Sequence, residues 1–102
     1  MITVLATITL NEGFREPFIA AFNANVPNVL AEDGCIQYEP VVDTDATLDA
    51  QPPLRENVVV VVEKWASIEA LHAHLKAPHM NTYREQVTGM VSGVDLQVLK
   101  PA

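Results

Sequence analysis

Basic side chains are scarce in this sequence. Only 6 of its 102 residues are Lys or Arg, against 13 Asp and Glu, which gives a formal net charge of −7. A nucleic-acid partner requires a basic stripe that neutralises phosphates, and an anionic membrane surface attracts the same residues. Six scattered cations supply neither feature, so we expect no nucleic-acid partner and no membrane partner.

Cysteine and long apolar runs are also scarce. The single cysteine, Cys35, cannot form an internal disulfide, which fits a reducing compartment. No apolar run reaches the length of about 18 residues that a membrane span needs, and the apolar start MITVLATITL lacks the basic region of a signal peptide. We therefore predict a cytoplasmic protein. There is no glycine-rich nucleotide fingerprint, P-loop or CxxC motif, so nothing here requires flavin or a nicotinamide.

Apolar residues, in contrast, are abundant. Hydrophobic residues make up 49% of the chain and charged residues 19%, which excludes disorder. A chain of this length is expected to form one domain, residues 1–102, around one core. The apolar excess for so small a domain indicates that part of it is covered at a subunit interface.

The first half of the chain alternates between strand and helix patterns. Met1–Leu10 has period two with β-branched residues and predicts a strand. Apolar residues then recur at steps of three and four, which predicts an amphipathic helix from about Asn11 to Asp33, with a kink or broken last turn at Pro27. Cys35–Val42 is a second predicted strand. Asp43–Asn57 is polar and aperiodic, and a loop of this length is commonly functional or mobile.

The second half repeats this order. Val58–Trp65 is an unbroken apolar run, typical of a strand in the middle of a sheet. Ser67 is a good N-cap for a second helix, which Pro78 interrupts. The alternating residues around Val94–Val98 predict a last strand.

The predicted order is therefore β-α-β-β-α-β, an α+β fold of the ferredoxin-like, split-βαβ type. It consists of a four-stranded antiparallel sheet with both helices on one face. Right-handed crossovers place the first and third strands at the centre of the sheet. The other sheet face is left bare, and Leu5 lies there among threonines, so we expect a second subunit to cover it in a homodimer.

Three segments resemble the antibiotic-biosynthesis-monooxygenase family. They are EDGCIQYEP (Glu32–Pro40), VVVVEKWAS (Val59–Ser67) and ALHAHLKAPHMNTYREQV (Ala70–Val87). The resemblance spans nearly the whole chain and implies a dimeric α+β barrel that acts on a small aromatic or quinol-like molecule. The haem-degrading members rely on an asparagine in the first strand. Only threonines and apolar residues fill that strand here, so the resemblance implies an enzyme that works without a cofactor.

Two residues are the first candidates for the active site. Trp65 matches a tryptophan that lines the pocket in the similar proteins, and it can pack an aromatic substrate. His79 matches the last histidine of the family's H-L-X-X-P-H motif. An imidazole, with an unperturbed pKa of roughly 6.5, can accept a phenol proton near neutral pH. The alternatives are a core tryptophan and a histidine that bonds only to local backbone.

Further candidates surround these two. Arg84 can stabilise a developing oxyanion, or it can form a salt bridge or be exposed. The remaining predicted substrate contacts are Tyr38, Glu63, His74 and Tyr83. His72 and His74, two positions apart on a helix, point in nearly opposite directions, so we predict no metal site and expect both to be mainly structural or exposed.

Three functions are compatible with these residues. The first is a cofactor-independent monooxygenase of a small quinol or phenol, with His79 as the base. The second is an isomerase of a small carbonyl compound that uses the same histidine to shuttle a proton. The third is a ligand-binding or structural dimer without turnover, because fold-level likeness does not fix a reaction.

Overall fold

The computed structural model describes residues 1–102 and confirms the predicted α+β fold. The strands are β1 (Ile2–Leu10), β2 (Cys35–Val41), β3 (Val58–Trp65) and β4 (Val91–Leu99). The helices are α1 (Arg15–Leu30), α2 (Ile68–Leu75) and α3 (Pro78–Gln86). No helix is long and apolar enough to cross a membrane.

The sheet has the strand order β2-β3-β1-β4 and is antiparallel throughout. This order confirms that β1 and β3 lie at its centre. Cross-strand partners share a face of a sheet, and Ala6 of β1 lies opposite both Val61 and Leu96. β4 pairs with β1 alone, and its other edge is free. The register therefore assigns the apolar side chains of three strands to one surface.

The hydrophobic core lies between that surface and the helices. Alternate residues of the two central strands are almost fully buried, among them Val4, Ala6, Val59 and Val61. Phe18 and Phe22 of α1 pack into the same cluster, together with residues of α2 and α3. The opposite sheet face has no helix on it, as the sequence predicted.

α1 differs from its predicted bounds. It is shorter than Asn11–Asp33 at both ends, and it continues through Pro27 for three more residues. The second helix is interrupted at Pro78, as predicted, and so forms α2 and α3. Pro78 stands at the first position of α3, where its missing N–H is tolerated, and Ala77 before it is extended, as residues before proline usually are. Ser67 caps α2 as predicted, since its hydroxyl oxygen accepts the Ala70 N–H at 3.1 Å.

The segment Asp43–Asn57 contains no helix or strand, which confirms the predicted loop. An ion pair joins its two ends: Arg55 donates from Nε and Nη2 to both carboxylate oxygens of Asp43, at 3.0 and 2.9 Å. These bonds lower the pKa of Asp43 to about 2. None of the loop residues lines the main cavity described below.

Candidate functional site

The main cavity lies between the sheet and the helices α2 and α3. It has a volume of about 330 Å³, and 12 of the 16 residues that line it are hydrophobic or tyrosine. Apolar walls with a few converging polar groups are typical of small-molecule sites, and this volume is at the small end of their range. Val94 and Leu96 of β4 form one side of the wall, and each is about half exposed.

Four buried groups with polar atoms face this cavity. Tyr38 of β2 and Glu63 of β3 lie opposite each other in the sheet register, so they share its floor. His74 reaches the cavity from α2, and Tyr83 from α3. All four are less than a tenth exposed. The structure thus brings together all four residues predicted as substrate contacts.

Trp65, in contrast, lies behind the cavity wall. Its side chain is fully buried and is not among the lining residues. The indole Nε1–H donates to Glu63 Oε1 at 2.9 Å, and the ring lies against His74 with 4.6 Å between ring centroids. The structure therefore gives Trp65 contacts to two cavity residues, and not the predicted place on the cavity wall.

The carboxyl group of Glu63 is electrostatically unusual. Burial raises its pKa to about 7, although the hydrogen bond from Trp65 opposes this shift, and the nearby Glu32 adds to it. Burial also raises the pKa of Tyr83 to about 12 and that of Tyr38 further still. Near neutral pH both phenols are therefore hydrogen-bond donors, and a large fraction of Glu63 is protonated.

His74 is fixed in its position by Glu32. The distance from His74 Nδ1 to Glu32 Oε2 is 2.8 Å. Because a carboxylate accepts hydrogen bonds, we assign the proton of the neutral ring to Nδ1, which leaves Nε2 as a proton acceptor. Burial lowers the pKa of His74, and the hydrogen bond to Glu32 opposes this only in part. His74 is thus a neutral base facing an apolar cavity.

His79 does not line the main cavity. It borders a separate cleft of about 150 Å³ between α1 and α3, beside Asn25 and Asn28. Its Nε2 lies 3.1 Å from the same Glu32 oxygen, but without hydrogen-bond geometry, and neither ring nitrogen has another partner. The two histidines are therefore separated by one carboxylate, and the residue predicted as the base is the one farther from the cavity.

Arg84 lies on the cavity wall, and two of its donors are already engaged. It donates to the Leu75 carbonyl oxygen at 2.7 Å and to Asn81 Oδ1 at 3.2 Å. It forms no ion pair with Glu63 or Glu85. No group of three or more His, Cys, Asp or Glu side chains is arranged to hold a metal ion.

The residue that sequence reasoning missed is Glu32. It lies in the turn between α1 and β2, where Gly34 has a φ of +85°, and both histidines approach it from α2 and α3. The sequence analysis identified the segment EDGCIQYEP, which begins with Glu32, as similar to the family. The contacts of Glu32 were not predicted, because they join residues 42 positions apart.

The fold and the site define a class of protein. Its members are ferredoxin-like domains with a small, largely apolar cavity and a buried base. The chain belongs to the antibiotic biosynthesis monooxygenase family, whose pattern matches residues 1–86. It is 39% identical to the "Probable quinol monooxygenase YgiN" of Escherichia coli, over 99% of this chain and 98% of the relative.

Solved structures share this fold. Rv0793 from Mycobacterium tuberculosis is 27% identical, with a TM-score of 0.79 over 99% of this chain and 94% of its own. SO0527 from Shewanella oneidensis is 28% identical, with a TM-score of 0.78 over 96% of this chain and 87% of its own.

Proposed function

We propose that this protein is a cofactor-independent monooxygenase of a small quinol, with His74 as the base that accepts the substrate proton. The observation that carries the proposal is the neutral His74, which faces a largely apolar cavity while Glu32 holds its other nitrogen. The 39% identity to a relative named as a quinol monooxygenase supports the substrate class. Family membership supports the reaction type.

The reaction begins with proton transfer from a substrate hydroxyl to His74 Nε2. The resulting phenolate passes one electron to O2, and the two radicals combine to form a C–O bond and a peroxide anion, which is then protonated. Loss of the ring hydrogen as a proton, with cleavage of the O–O bond, leaves a carbonyl on the ring and releases water. The substrate supplies all four electrons that O2 accepts, so no other reductant is needed.

The remaining cavity residues bind and orient the substrate. The hydroxyls of Tyr38 and Tyr83 donate hydrogen bonds to substrate oxygens, and protonated Glu63 donates another. The apolar walls exclude water from the radical pair and the peroxide. Trp65 acts by holding Glu63 and His74 in place.

Oxygen uptake by metal-free protein with a panel of hydroquinones tests this function. We expect His74→Gln to lower kcat by roughly 100-fold or more, because a positioned general base contributes about that much. His72→Gln, on the exposed side of the same helix, is the matched control and should retain full activity. No uptake by the wild type, or equal uptake by wild type and His74→Gln, contradicts the proposal.

We also propose that the working unit is a homodimer. β4 is a free edge strand, and the apolar residues on its helix side are about half exposed along its length: Val94, Leu96 and Val98. Exposed apolar edges of this kind are normally covered in the assembled protein. A second copy of the chain is the partner that fits the high apolar content of the sequence. This surface is on the helix side of β4, whereas the sequence analysis placed the interface on the bare sheet face.

A further inference from the structure

Three ionisable side chains form a continuous line from the main cavity to a second cleft. His74, Glu32 and His79 have side chains that are 2, 15 and 23% exposed, in that order. Exposure therefore rises step by step with distance from the cavity. The line crosses three elements, since Glu32 follows α1 and the histidines belong to α2 and α3.

Both histidines meet the same oxygen atom. His74 Nδ1 lies 2.8 Å and His79 Nε2 3.1 Å from Glu32 Oε2. The first contact is a hydrogen bond, and the second has the distance but not the angle of one. One carboxylate oxygen is thus placed to exchange a proton with either ring.

The nitrogens of His79 have no other function in the fold. Both are buried atoms without a hydrogen-bond partner. A buried polar group left unpaired costs about 1–3 kcal/mol, so such a group calls for an explanation. The cleft beside the ring is lined by Asn25, Asn28, Thr82 and Gln86. Its volume of about 150 Å³ is large enough for several waters, since one water occupies about 30 Å³.

We propose that Glu32 and His79 form a proton relay that connects the base His74 to the cleft between α1 and α3. This inference rests on the proposed function. As His74 Nε2 takes the substrate proton, Nδ1 passes its own proton to Glu32. The relay uses the His79 tautomer that carries its proton on Nδ1, so that Glu32 can pass a proton to the free His79 Nε2. The reverse transfer returns a proton to the peroxide and restores the tautomer of His74. No bond other than O–H and N–H is made or broken in the relay.

The relay removes an electrostatic obstacle. A protonated His74 is an imidazolium in a site that is almost closed to water, and burial disfavours that charge. The titratable groups around it are Glu32, His79 and Arg84, together with the Tyr38 ring and with Glu63 on the same cavity. Moving the charge to His79 places it beside the same Glu32 carboxyl at the better solvated end of the line.

Two substitutions separate the relay from a structural role. Glu32→Gln keeps a side-chain oxygen that can accept from His74 but cannot carry a proton. We expect kcat to fall roughly 10–100-fold with unchanged KM, as is typical for partners that orient a reactive group. His79→Gln should lower kcat in weak buffer, and added imidazole should restore it, because a soluble base then replaces His79.

Rescue by imidazole must be specific to the His79 variant. Glu32→Gln should not be rescued, and His72→Gln should show no dependence on buffer concentration. A His79→Gln enzyme with wild-type kcat in weak buffer overturns the relay. A Glu32→Gln enzyme with unchanged kcat also overturns the relay. Neither result contradicts the proposed oxygenation by His74.

A measurement without substrate keeps the two proposals distinguishable. In ¹⁵N NMR of the histidine rings, His74 should show the Nδ1–H tautomer in the wild type. Its pKa should fall in Glu32→Gln, which removes a negative neighbour. It should rise in His79→Gln, because a proton on His79 disfavours a second positive charge on His74. Unchanged titration of His74 in both variants overturns the coupling, whether or not the protein consumes oxygen.

Discussion

At the scale of single residues, the cavity contains two groups whose burial shifts their pKa values in opposite senses. Burial raises the pKa of Glu63 and lowers that of His74, so both groups favour their neutral forms. Pairs of this kind are common where a site needs an acid and a base at one pH. Here Glu63 lies on the sheet and His74 on a helix, and Trp65 contacts both.

Glu63 gives a prediction about stability and pH. Its pKa is about 7 when folded, above the ordinary 4.5, so the folded state binds more protons than the unfolded one between these values. Stability contributed by this group is complete below about pH 4.5 and is lost as pH rises through 7. The free energy of unfolding of Glu63→Gln should match that of the wild type at pH 5. At pH 8 it should exceed the wild-type value by on the order of 2 kcal/mol.

Urea unfolding of both proteins at the two pH values measures this difference. Trp65 can still donate to the amide oxygen of Gln, so the hydrogen bond is kept in the variant. Glu39→Gln, on the neighbouring strand and exposed, is the control and should show no comparable dependence on pH. An equal stability gain for Glu63→Gln at both pH values contradicts the assigned protonation of Glu63.

At the scale of elements, the turn between α1 and β2 determines where Glu32 lies. Gly34 has a φ of +85°, which disfavours any side chain, and a Cβ there would lie 2.7 Å from the Ala70 Cβ. The close approach brings the turn after α1 against α2. Glu32, two residues earlier, is thereby held beside His74.

We expect Gly34→Ala to destabilise the fold by roughly 2–4 kcal/mol, the sum of backbone strain and overpacking. Gly13 has the same φ of +85°, but a methyl group added there would meet no atom within 4 Å, so Gly13→Ala should show the strain alone. Thermal unfolding of both variants compares them. Equal losses of stability in the two variants would show that overpacking against Ala70 does not contribute to the effect of Gly34→Ala.

How well the elements and site could be predicted depends on the range of the interactions involved. Strand alternation in Met1–Leu10 and the valine run of β3 are local patterns, and both strands were placed correctly. The position of Trp65 was predicted less well. Tertiary packing decides whether a side chain faces a cavity or lies behind it. Glu32 was missed for the same reason: its partners follow it by 42 and 47 positions.

At the scale of the whole molecule, the free β4 edge predicts the assembly. Light scattering at micromolar concentration should show a dimer, and Leu96→Glu should shift it to monomer because a buried charge opposes association. Leu48→Glu makes the same change at an exposed leucine of the Asp43–Asn57 loop and should leave the dimer intact. A monomeric wild type, or a dimeric Leu96→Glu protein, contradicts this interface.

Leu96 belongs to two surfaces at once, since it forms part of the cavity wall and of the exposed edge. If a second copy covers that edge, closing the cavity and joining two chains become one thermodynamic event. Ligand binding would then strengthen association, and association would strengthen binding, by the same factor. The apparent ligand affinity should consequently rise with protein concentration and weaken on dilution through the dimer dissociation constant.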